Sequence, residues 1–256
     1  LGKRRVFGLI MPDKYSDPKN VQHAREIAKI LKIKYKEIDL TPILAKIGVY
    51  KLVPIQKILK NKFLIQQAFK LFKKWKKINM IHSLGVLGLT TSDLIYQRAT
   101  AAVLPKLRLR SLLLYYYGAQ KNLLVLGTKN KTEYVLGHYD KYGDGACDIE
   151  PIRGLYKTEV KELAKFLGVP QKIIEKPATH DLYAGDILTD EILMGLSFEK
   201  VDKILMGLEK GKREEKLASE LGVEKKIIKE VKKAIENEKI KRRIPFSIDD
   251  FKKIKL

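Results

Sequence analysis

The sequence is short of cysteine, of acidic residues and of long apolar runs, and the first and last of these shortages each exclude a class of protein. One residue of 256 is cysteine, so an internal disulfide is excluded and a reducing cytoplasm is expected. Because no run of about eighteen apolar residues occurs, we expect no transmembrane helix. The four histidines and Cys147 show neither metal-ligand spacing nor a Cys–His pairing, which argues against a zinc site or a thiol nucleophile.

The shortage of acidic residues leaves a large excess of positive charge. The chain has 52 Lys and Arg against 30 Asp and Glu, a formal net charge of +22. Such a charge suits nucleic acid, an anionic membrane surface or phosphorylated substrates. It equally suits the Lys-rich surface of a thermophile protein. Charge alone leaves these alternatives open.

The first forty residues predict a parallel sheet. Arg4–Met11 is an apolar run with strand character, Asp17-Pro18 opens a helix, and Tyr35–Leu40 alternates like a second strand. Strand, helix and strand at this spacing form a βαβ unit with parallel strands and a right-handed crossover. The fold class is therefore predicted to be α/β, with a Rossmann-like parallel sheet flanked by helices.

The rest of the chain is predicted to be largely helical. A long helix runs from Asp93 to about Gln120, with Pro105 as a point of possible interruption, and Leu123–Leu126 forms a short strand. Further helices are predicted at Asn130–Leu136, Tyr156–Gly168, Phe198–Leu208, Lys212–Leu221 and Glu224–Lys239. We expect an α/β nucleotide-binding domain over residues 1–189 and a helical C-terminal subdomain over residues 190–256.

A lysine-rich segment at about residues 50–92 stands out. From residue 40 to 92 there are ten lysines and no acidic residue, and Phe69, Phe72 and Trp75 recur at a spacing that places them on one helix face. One interpretation is a helical insertion that packs its aromatic residues on the domain. The other is a basic contact surface for RNA, membrane or a partner subunit.

The segment from Gly127 to Glu133 has the form of an anion site. Gly127-Thr128 follows a predicted strand and precedes a helix, where free backbone N–H groups attract an anion at the carboxyl ends of the strands. Glu133, on that helix, could be a Mg²⁺ ligand for a nucleotide triphosphate. The alternative is a surface glutamate paired with Lys129 or Lys131.

Charged residues downstream extend this site. Gly143 and Gly145 flank Asp144 and permit a positive φ on either side of it, so the loop could turn tightly around a ligand. Lys141 and Asp148 lie on either side of this loop. Lys157 falls in the first turn of its helix, where the dipole disfavours a cation, which suggests that an anion lies nearby.

Two weaker signals lie outside this segment. Arg108 and Arg110 should point to different sides of their helix, and either could form a bidentate contact with a carboxylate or phosphate or be solvated. Thr179-His180-Asp181 offers a hydroxyl and an imidazole in a polar loop, although a single loop histidine is more often solvent-exposed than catalytic.

Together these motifs resemble NAD synthetase, a family of the N-type ATP pyrophosphatase group. The match runs through Leu123–Leu167, including GTKNKTEYVLGHYDKYGDGACD, and extends upstream to RLRSLLLYYYGAQ from Arg108. It also includes RVFGLIMPDKYSDPKNVQHA, KPATHDL around Thr179 and KIKRRIP around Lys241. The resemblance implies an adenine nucleotide alpha hydrolase-like fold and ATP-dependent amidation of deamido-NAD with ammonia, in a cytoplasmic homodimer.

The resemblance also implies roles for individual residues. It implies ATP contacts at Thr128, Lys157 and Thr179, with Lys157 stabilising charge, and a Mg²⁺ ligand at Glu133. It implies deamido-NAD contacts from Arg108, Lys141, Asp148 and Lys241. No protein nucleophile is expected, and ATP is expected to be a substrate. Family members often have His before that last lysine, where this chain has Ile240.

One family motif is missing from the sequence. The Ser-Gly-Gly-x-Asp-Ser loop of the family, which cradles pyrophosphate, is absent, and we expect a chain truncated before Leu1 by one strand, this loop and a helix. Two alternatives follow. One is another ATP pyrophosphatase that acts on tRNA, although no paired-cysteine or RNA-binding signature occurs and nucleic acid is not the expected partner. The other is an inactive dinucleotide-binding remnant.

Overall fold

The N-terminal part of the chain is a βαβ unit with parallel strands. The structure, a computed structural model, describes residues 2–52, 94–179, 191 and 194–242. Strand β1 (Phe7–Ile10) pairs in parallel with β2 (Lys34–Glu37), and helix α1 (Pro18–Ile30) makes the crossover. Asp17 caps α1 by accepting a hydrogen bond from the backbone N–H of Lys19 at 2.9 Å. This confirms the predicted parallel α/β fold.

The predicted first strand was too long at its start. Lys3–Arg5 forms a 3₁₀ turn, and the register pairs Phe7 with Lys34 through Ile10 with Glu37. Three basic residues in succession have little strand propensity, so the sheet begins where the apolar run begins.

Two short helices pack against one long helix. Helix α2 (Thr41–Ile47) and α3 (Val49–Leu52) are joined at Gly48, whose φ of 89° favours glycine, and both lie near α4 (Leu94–Lys121). Leu40, Leu44 and Val49 form a small buried core here. Helix α4 continues through Pro105 without interruption. The lysine-rich segment predicted at about 50–92 lies almost entirely outside the described residues.

Buried charge fastens α4 to the end of β1. The Lys106 ammonium lies 3.0 Å from the Asp13 carboxylate, and both side chains are buried. Arg110 donates to the backbone carbonyl of Met11 at 3.3 Å, while Arg108 contacts a different part of the chain. The two arginines therefore point to different sides of α4, as predicted.

The central segment contains three short helices and little strand. Helices α5 (Lys131–Leu136), α6 (Lys157–Phe166) and α7 (Gln171–Ile174) follow in order, and Gly168, at φ 72°, stops α6 as predicted. The strand predicted at Leu123–Leu126 is reduced to an isolated parallel bridge between Leu126 and Ile149. Asp148 forms two further hydrogen bonds to this segment. Its carboxylate accepts from the Val125 N–H at 2.8 Å, and its own N–H donates to the Val125 carbonyl at 2.9 Å.

The C-terminal helices share a core with the central segment. Helices α8 (Phe198–Glu209), α9 (Glu214–Leu221) and α10 (Lys225–Lys241) bury Ile204, Leu217 and Ile228 against Leu136 of α5 and Tyr156. These helices therefore support α5 and α6 directly. The domain boundary predicted near residue 190 falls where the structure describes little, and it stays a prediction. In the described residues, no helix is both long and apolar enough to cross a bilayer.

Candidate active site

The starts of α5 and α6 meet at an ion pair between Glu133 and Lys157. Asn130 Oδ1 accepts from the Glu133 N–H, and Glu133 Oε2 accepts from the Asn130 N–H, both at 3.0 Å. This reciprocal capping box leaves Glu133 Oε1 to accept from Lys157 Nζ at 3.1 Å. The glutamate is thus paired with neither Lys129 nor Lys131, and the alternative pairing considered from the sequence is wrong.

The carboxylate of Glu133 also explains the unfavourable position of Lys157. Lys157 is the first residue of α6, where the helix dipole disfavours a cation, and the Glu133 carboxylate offsets that cost. Both side chains are about four-fifths buried. The anion expected near Lys157 is therefore present within the chain itself, and a phosphate could replace it as the partner of the ammonium.

Buried Asp202 of α8 ties the two helix starts together. Asp202 accepts from Thr132 Oγ1 at 2.5 Å, from Thr158 Oγ1 at 2.8 Å and from the Thr158 N–H at 2.9 Å. Thr132 Oγ1 in turn accepts from the Lys157 N–H at 3.0 Å. Asp202 and Thr132 are each 1% exposed, so most of this network is shielded from solvent, where hydrogen bonds are strong. It fixes Glu133 and Lys157 relative to each other.

These helix starts open into a first cleft of about 640 Å³. Four residues predicted for the ATP and metal sites line it: Thr128, Glu133, Lys157 and Thr179. Part of its lining is aliphatic and consists of residues on α6 and in the segment after it: Val160, Ala164, Val169, Ile173 and Ile174. The structure thus brings together side chains as far apart in the sequence as Thr128 and Thr179. His180 and Asp181 lie outside the described residues.

The Gly143–Gly145 loop is tight for a different reason than predicted. Neither glycine has a positive φ. Instead, a Cβ on Gly143 would come within 2.7 Å of Leu107 Cβ, and one on Gly145 within 2.7 Å of the Asp140 carbonyl oxygen. The prediction of a positive φ was wrong, and close packing is what requires glycine here.

Two residues predicted to bind the dinucleotide have contacts within the chain. Arg108 donates from Nε and Nη2 to the Asp140 carboxylate at 3.0 and 3.3 Å, and its side chain is 45% exposed. Asp148 accepts from the Val125 N–H at 2.8 Å and from the Tyr115 hydroxyl at 3.2 Å. Both side chains are therefore held in place before any ligand arrives.

A second cleft of about 550 Å³ lies beside the Gly143–Gly145 loop. Lys141 and Asp148 line it, as do the nearly parallel rings of Tyr134 and Tyr139, whose centroids are 6.5 Å apart. The guanidinium carbons of Arg242 and Arg153 lie 4.5 and 5.2 Å from the Tyr134 ring centroid.

One residue with a predicted dinucleotide contact, Arg108, lies away from the described walls of the clefts. Lys241 is the last residue of α10, and its neighbour Arg242 lines the second cleft.

Lys129 and Tyr139 are the two described residues that line both clefts. Lys129 forms an ion pair with Glu150, and its Nζ lies 4.7 Å from the Tyr139 ring centroid. Burial pushes the pKa of Glu150 up, but hydrogen bonds from Lys129 and Cys147 outweigh it and hold this pKa below its ordinary value. Burial raises the pKa of the Cys147 thiol, and its hydrogen bond to Glu150 raises this pKa further.

Sequence reasoning missed several of these residues. The Asn130 to Glu133 spacing is a capping-box signature that was available in the sequence. Asp202, by contrast, lies 70 residues after Thr132 along the chain, and no local sequence pattern indicates that the two are in contact. Lys129 entered the sequence argument only as a surface partner, and its burial comes from tertiary packing.

Solved structures share this fold. An NH3-dependent NAD synthetase from Campylobacter jejuni, in complex with the nitrate ion, aligns with a TM-score of 0.58 and 27% identity, covering 96% of this chain and 79% of that one. An NMN synthetase from Francisella tularensis aligns with a TM-score of 0.62 and covers 94% of this chain and 77% of that one. At 24% identity, the second comparison concerns the fold alone.

Parallel strands joined by a crossover helix, with charged clefts beside them, define a Rossmann-like α/β protein. The sequence model of NAD synthase matches residues 1–62 and 52–245. The NH(3)-dependent NAD(+) synthetase of Thermotoga neapolitana is 39% identical over 97% of this chain and 82% of that protein. That of Methanocaldococcus jannaschii is 38% identical over 96% and 79%. The chain belongs to the NAD synthase family.

Proposed function

We propose that the protein is an ammonia-dependent NAD synthetase, which amidates nicotinic acid adenine dinucleotide (deamido-NAD) at the expense of ATP. The observation that carries this proposal is the division of the site into two adjoining clefts. Residues matched to ATP and metal line the first cleft, and Lys141 and Asp148, matched to the dinucleotide, line the second. Two substrates that must react with each other need such adjoining sites.

The chemistry explains why charge, and no nucleophile, is needed. A carboxylate oxygen of the nicotinate attacks the α-phosphorus of ATP, the bond from that phosphorus to the bridging oxygen breaks, and pyrophosphate leaves with the electron pair. Ammonia then attacks the acyl carbon, loses a proton, and AMP leaves. Both substrates are anionic, so fixed cations and hydrogen-bond donors lower the barrier.

In the first cleft, we assign the ATP phosphates to Thr128, Lys157 and Thr179. Thr128 is exposed to the cleft, and Lys157 can exchange the Glu133 carboxylate for a phosphate without leaving its position. The aliphatic wall formed by α6 and the segment after it offers a surface for a flat base. Lys157 would stabilise charge that develops as pyrophosphate leaves.

Glu133 is the residue that would hold Mg²⁺. Its carboxylate is a hard oxygen donor, and its Oε1 accepts from the ammonium of Lys157, which a metal-bound phosphate could take over. Among the described residues, no group of three or more His, Cys, Asp or Glu could hold a metal. The ion would therefore take its other ligands from the ATP phosphates and from water, which is how Mg²⁺ is usually bound. When bound, it would neutralise phosphate charge.

In the second cleft, we assign the dinucleotide to Lys141 and Asp148, with Arg108 and Lys241 as further contacts. Lys141 can pair with phosphate, and Asp148 can accept from a ribose hydroxyl. Stacked tyrosines and two guanidinium groups suit the planar rings and the pyrophosphate of a dinucleotide.

We infer a homodimer, in which Arg108 and Lys241 reach a dinucleotide bound by the partner subunit. Arg108 is apart from the described walls of both clefts, and Leu112 and Tyr116, one turn or two further along α4, are 64% and 57% exposed. An apolar helix face beside an arginine suits a subunit contact. We also infer a cytoplasmic location, since the protein has a free cysteine and its substrates are metabolites.

Calorimetric titration with deamido-NAD, followed by a pyrophosphate-release assay with ATP, Mg²⁺ and ammonia, tests the proposal. We expect dinucleotide binding, pyrophosphate release that depends on deamido-NAD, and NAD as the product detected by mass spectrometry. Dinucleotide binding without pyrophosphate release would instead indicate the inactive remnant. Absence of dinucleotide binding would exclude both interpretations.

A further inference from the structure

Lys129 lies in the wall that the two clefts share. The first cleft and the second cleft share a wall, and among the described residues Lys129 and Tyr139 alone line both. We propose that Lys129 is a further catalytic residue, whose ammonium contacts both the carboxylate of the dinucleotide and the α-phosphate of ATP. This inference rests on the proposed function and concerns its first chemical step.

The ammonium of Lys129 is held rigidly in that wall. Its side chain is 5% exposed and forms an ion pair with Glu150. Its Nζ also lies 3.4 Å from the carbonyl oxygen of Asp144 and 4.7 Å from the Tyr139 ring centroid. A cation fixed before the substrates arrive needs no reorganisation during the reaction, which is the condition for effective electrostatic stabilisation.

The ammonium of Lys129 is close to two acidic side chains, Glu150 and Asp144. Glu150 is shared, because Arg153 Nη1 also lies 3.3 Å from its Oε2. Two cations therefore face one carboxylate, and the neighbouring thiol of Cys147 donates to that same carboxylate. An anion in either cleft can therefore approach the Lys129 ammonium in a partly dehydrated place, where charge interactions are strong.

The first chemical step is the one that needs this charge. As the carboxylate oxygen approaches the α-phosphorus, two anions are forced together, and then one bond forms while the bond to pyrophosphate breaks. No proton moves in this step, so the step calls for a fixed cation and for neither an acid nor a base. Lys129 offsets the repulsion between the two anions, whereas Lys157 lies in the first cleft only.

A purely structural role would have a different signature. Lys129 also supports the Gly143–Gly145 loop through the Asp144 carbonyl, so its loss could disturb both clefts equally. In that case binding of each ligand alone would weaken. If Lys129 instead bridges the two anions, each ligand alone should bind normally, and the defect should appear when both are present.

The experiment measures binding of α,β-methylene-ATP with Mg²⁺, a probe in which the scissile bond cannot react, with and without saturating deamido-NAD. For Lys129→Gln we expect the Kd of each ligand alone to change by less than about threefold, and the Kd of the probe in the ternary complex to rise about tenfold. Lys129→Arg keeps the cation and should restore the ternary Kd. Lys131→Met, which removes a lysine two residues away whose partner is Glu209, is the matched control and should behave like the native chain.

The outcomes separate this inference from the proposed function. If the native chain binds no deamido-NAD, the proposed function fails and this inference fails with it. If the native chain binds both ligands and Lys129→Gln leaves the ternary Kd unchanged, the inference alone is overturned. Equal weakening of both single-ligand affinities would assign Lys129 a structural role and also overturn it. Lys129→Met provides a second uncharged variant, should the glutamine variant not fold.

Discussion

The two clefts use the same short helix for opposite chemistry. Glu133 and Tyr134 are consecutive residues of α5, yet Glu133 lines the first cleft and Tyr134 the second. Neighbouring helix residues point about 100° apart, so one turn of helix can serve two sites. The first cleft combines an ion pair with an aliphatic wall. The second combines stacked tyrosines with guanidinium groups.

Under the proposed function, this difference would separate two similar ligands. Both substrates contain adenine, ribose and phosphate, so neither charge nor base alone can distinguish them. In the first cleft, the glutamate beside a lysine is the pair that we assign to a metal-bound triphosphate. In the second, cations lie around aromatic rings, which suits a diphosphate between two flat ring systems. Substitutions in one cleft, or in the wall between the two clefts, should therefore have different effects on the two ligands.

Glu133→Ala should have the largest effect, and on the first cleft alone. We expect pyrophosphate release to fall about 10³-fold because the proposed metal ligand is lost, while the deamido-NAD Kd stays within about twofold. Release is measured with a coupled assay and binding by calorimetry. Glu133→Gln is the control, because glutamine can keep the capping box but lacks the charge. If the glutamine variant is active, Glu133 acts through its cap.

Asp202→Ala should have the next largest effect, through stability. The buried carboxylate accepts three hydrogen bonds from Thr132 and Thr158, so its loss should lower the free energy of unfolding by about 3 kcal/mol. Urea denaturation measures this change. Asp202→Asn keeps one acceptor oxygen and should lose less.

The same variant also tests how the first cleft is supported. Because Asp202 holds the starts of α5 and α6 together, we expect ATP binding to weaken more than dinucleotide binding. Equal weakening of both affinities would mean that α8 supports the two clefts alike. The difference between the clefts would then not include the helix that supports them.

Asp202 also marks the limit of what the sequence could predict. The parallel strands, most helices and the grouping of Glu133 with Lys157 follow from local patterns and a family resemblance, because strand ends and helix starts are encoded locally. Asp202 and Lys129 could not be found in this way. Their roles depend on which distant surfaces pack together, and an aspartate on a helix reads as solvent-exposed until that packing is known.

The tyrosines of the second cleft illustrate the same limit. Tyr134 and Tyr139 are five residues apart, on either side of Gly137, where the chain leaves α5 at a φ of 69°. Their nearly parallel rings result from that turn and from buried contacts. Burial and nearby Glu238 raise the pKa of Tyr139 to about 12, so its phenol stays protonated at neutral pH. No periodic pattern indicates such a pair.

Lys157→Ala should have a smaller effect, confined to ATP. Removal of the ammonium leaves the Glu133 carboxylate without its partner, so the phosphates meet a negative charge where a positive one stood. We expect the Kd of ATP to rise about tenfold, with the deamido-NAD Kd unchanged, as measured by calorimetry. Lys165→Ala, on the same helix and paired with Glu162, is the matched control. An unchanged ATP affinity in Lys157→Ala would remove this residue from the site.

Glu150→Gln should have the smallest effect, and it tests the wall between the clefts. The folded state holds the pKa of Glu150 below its ordinary value of 4.5, so this carboxylate stabilises the protein above that value. The contribution is lost as the pH falls through the lowered pKa. We therefore expect the native chain to exceed Glu150→Gln in free energy of unfolding by about 1 kcal/mol at pH 7, and this difference to shrink below about pH 4.5. Urea denaturation from pH 7 to pH 3 measures it, with the exposed Glu162→Gln as the control. A difference that stays constant over this range would show that the Glu150 charge does not hold the wall together.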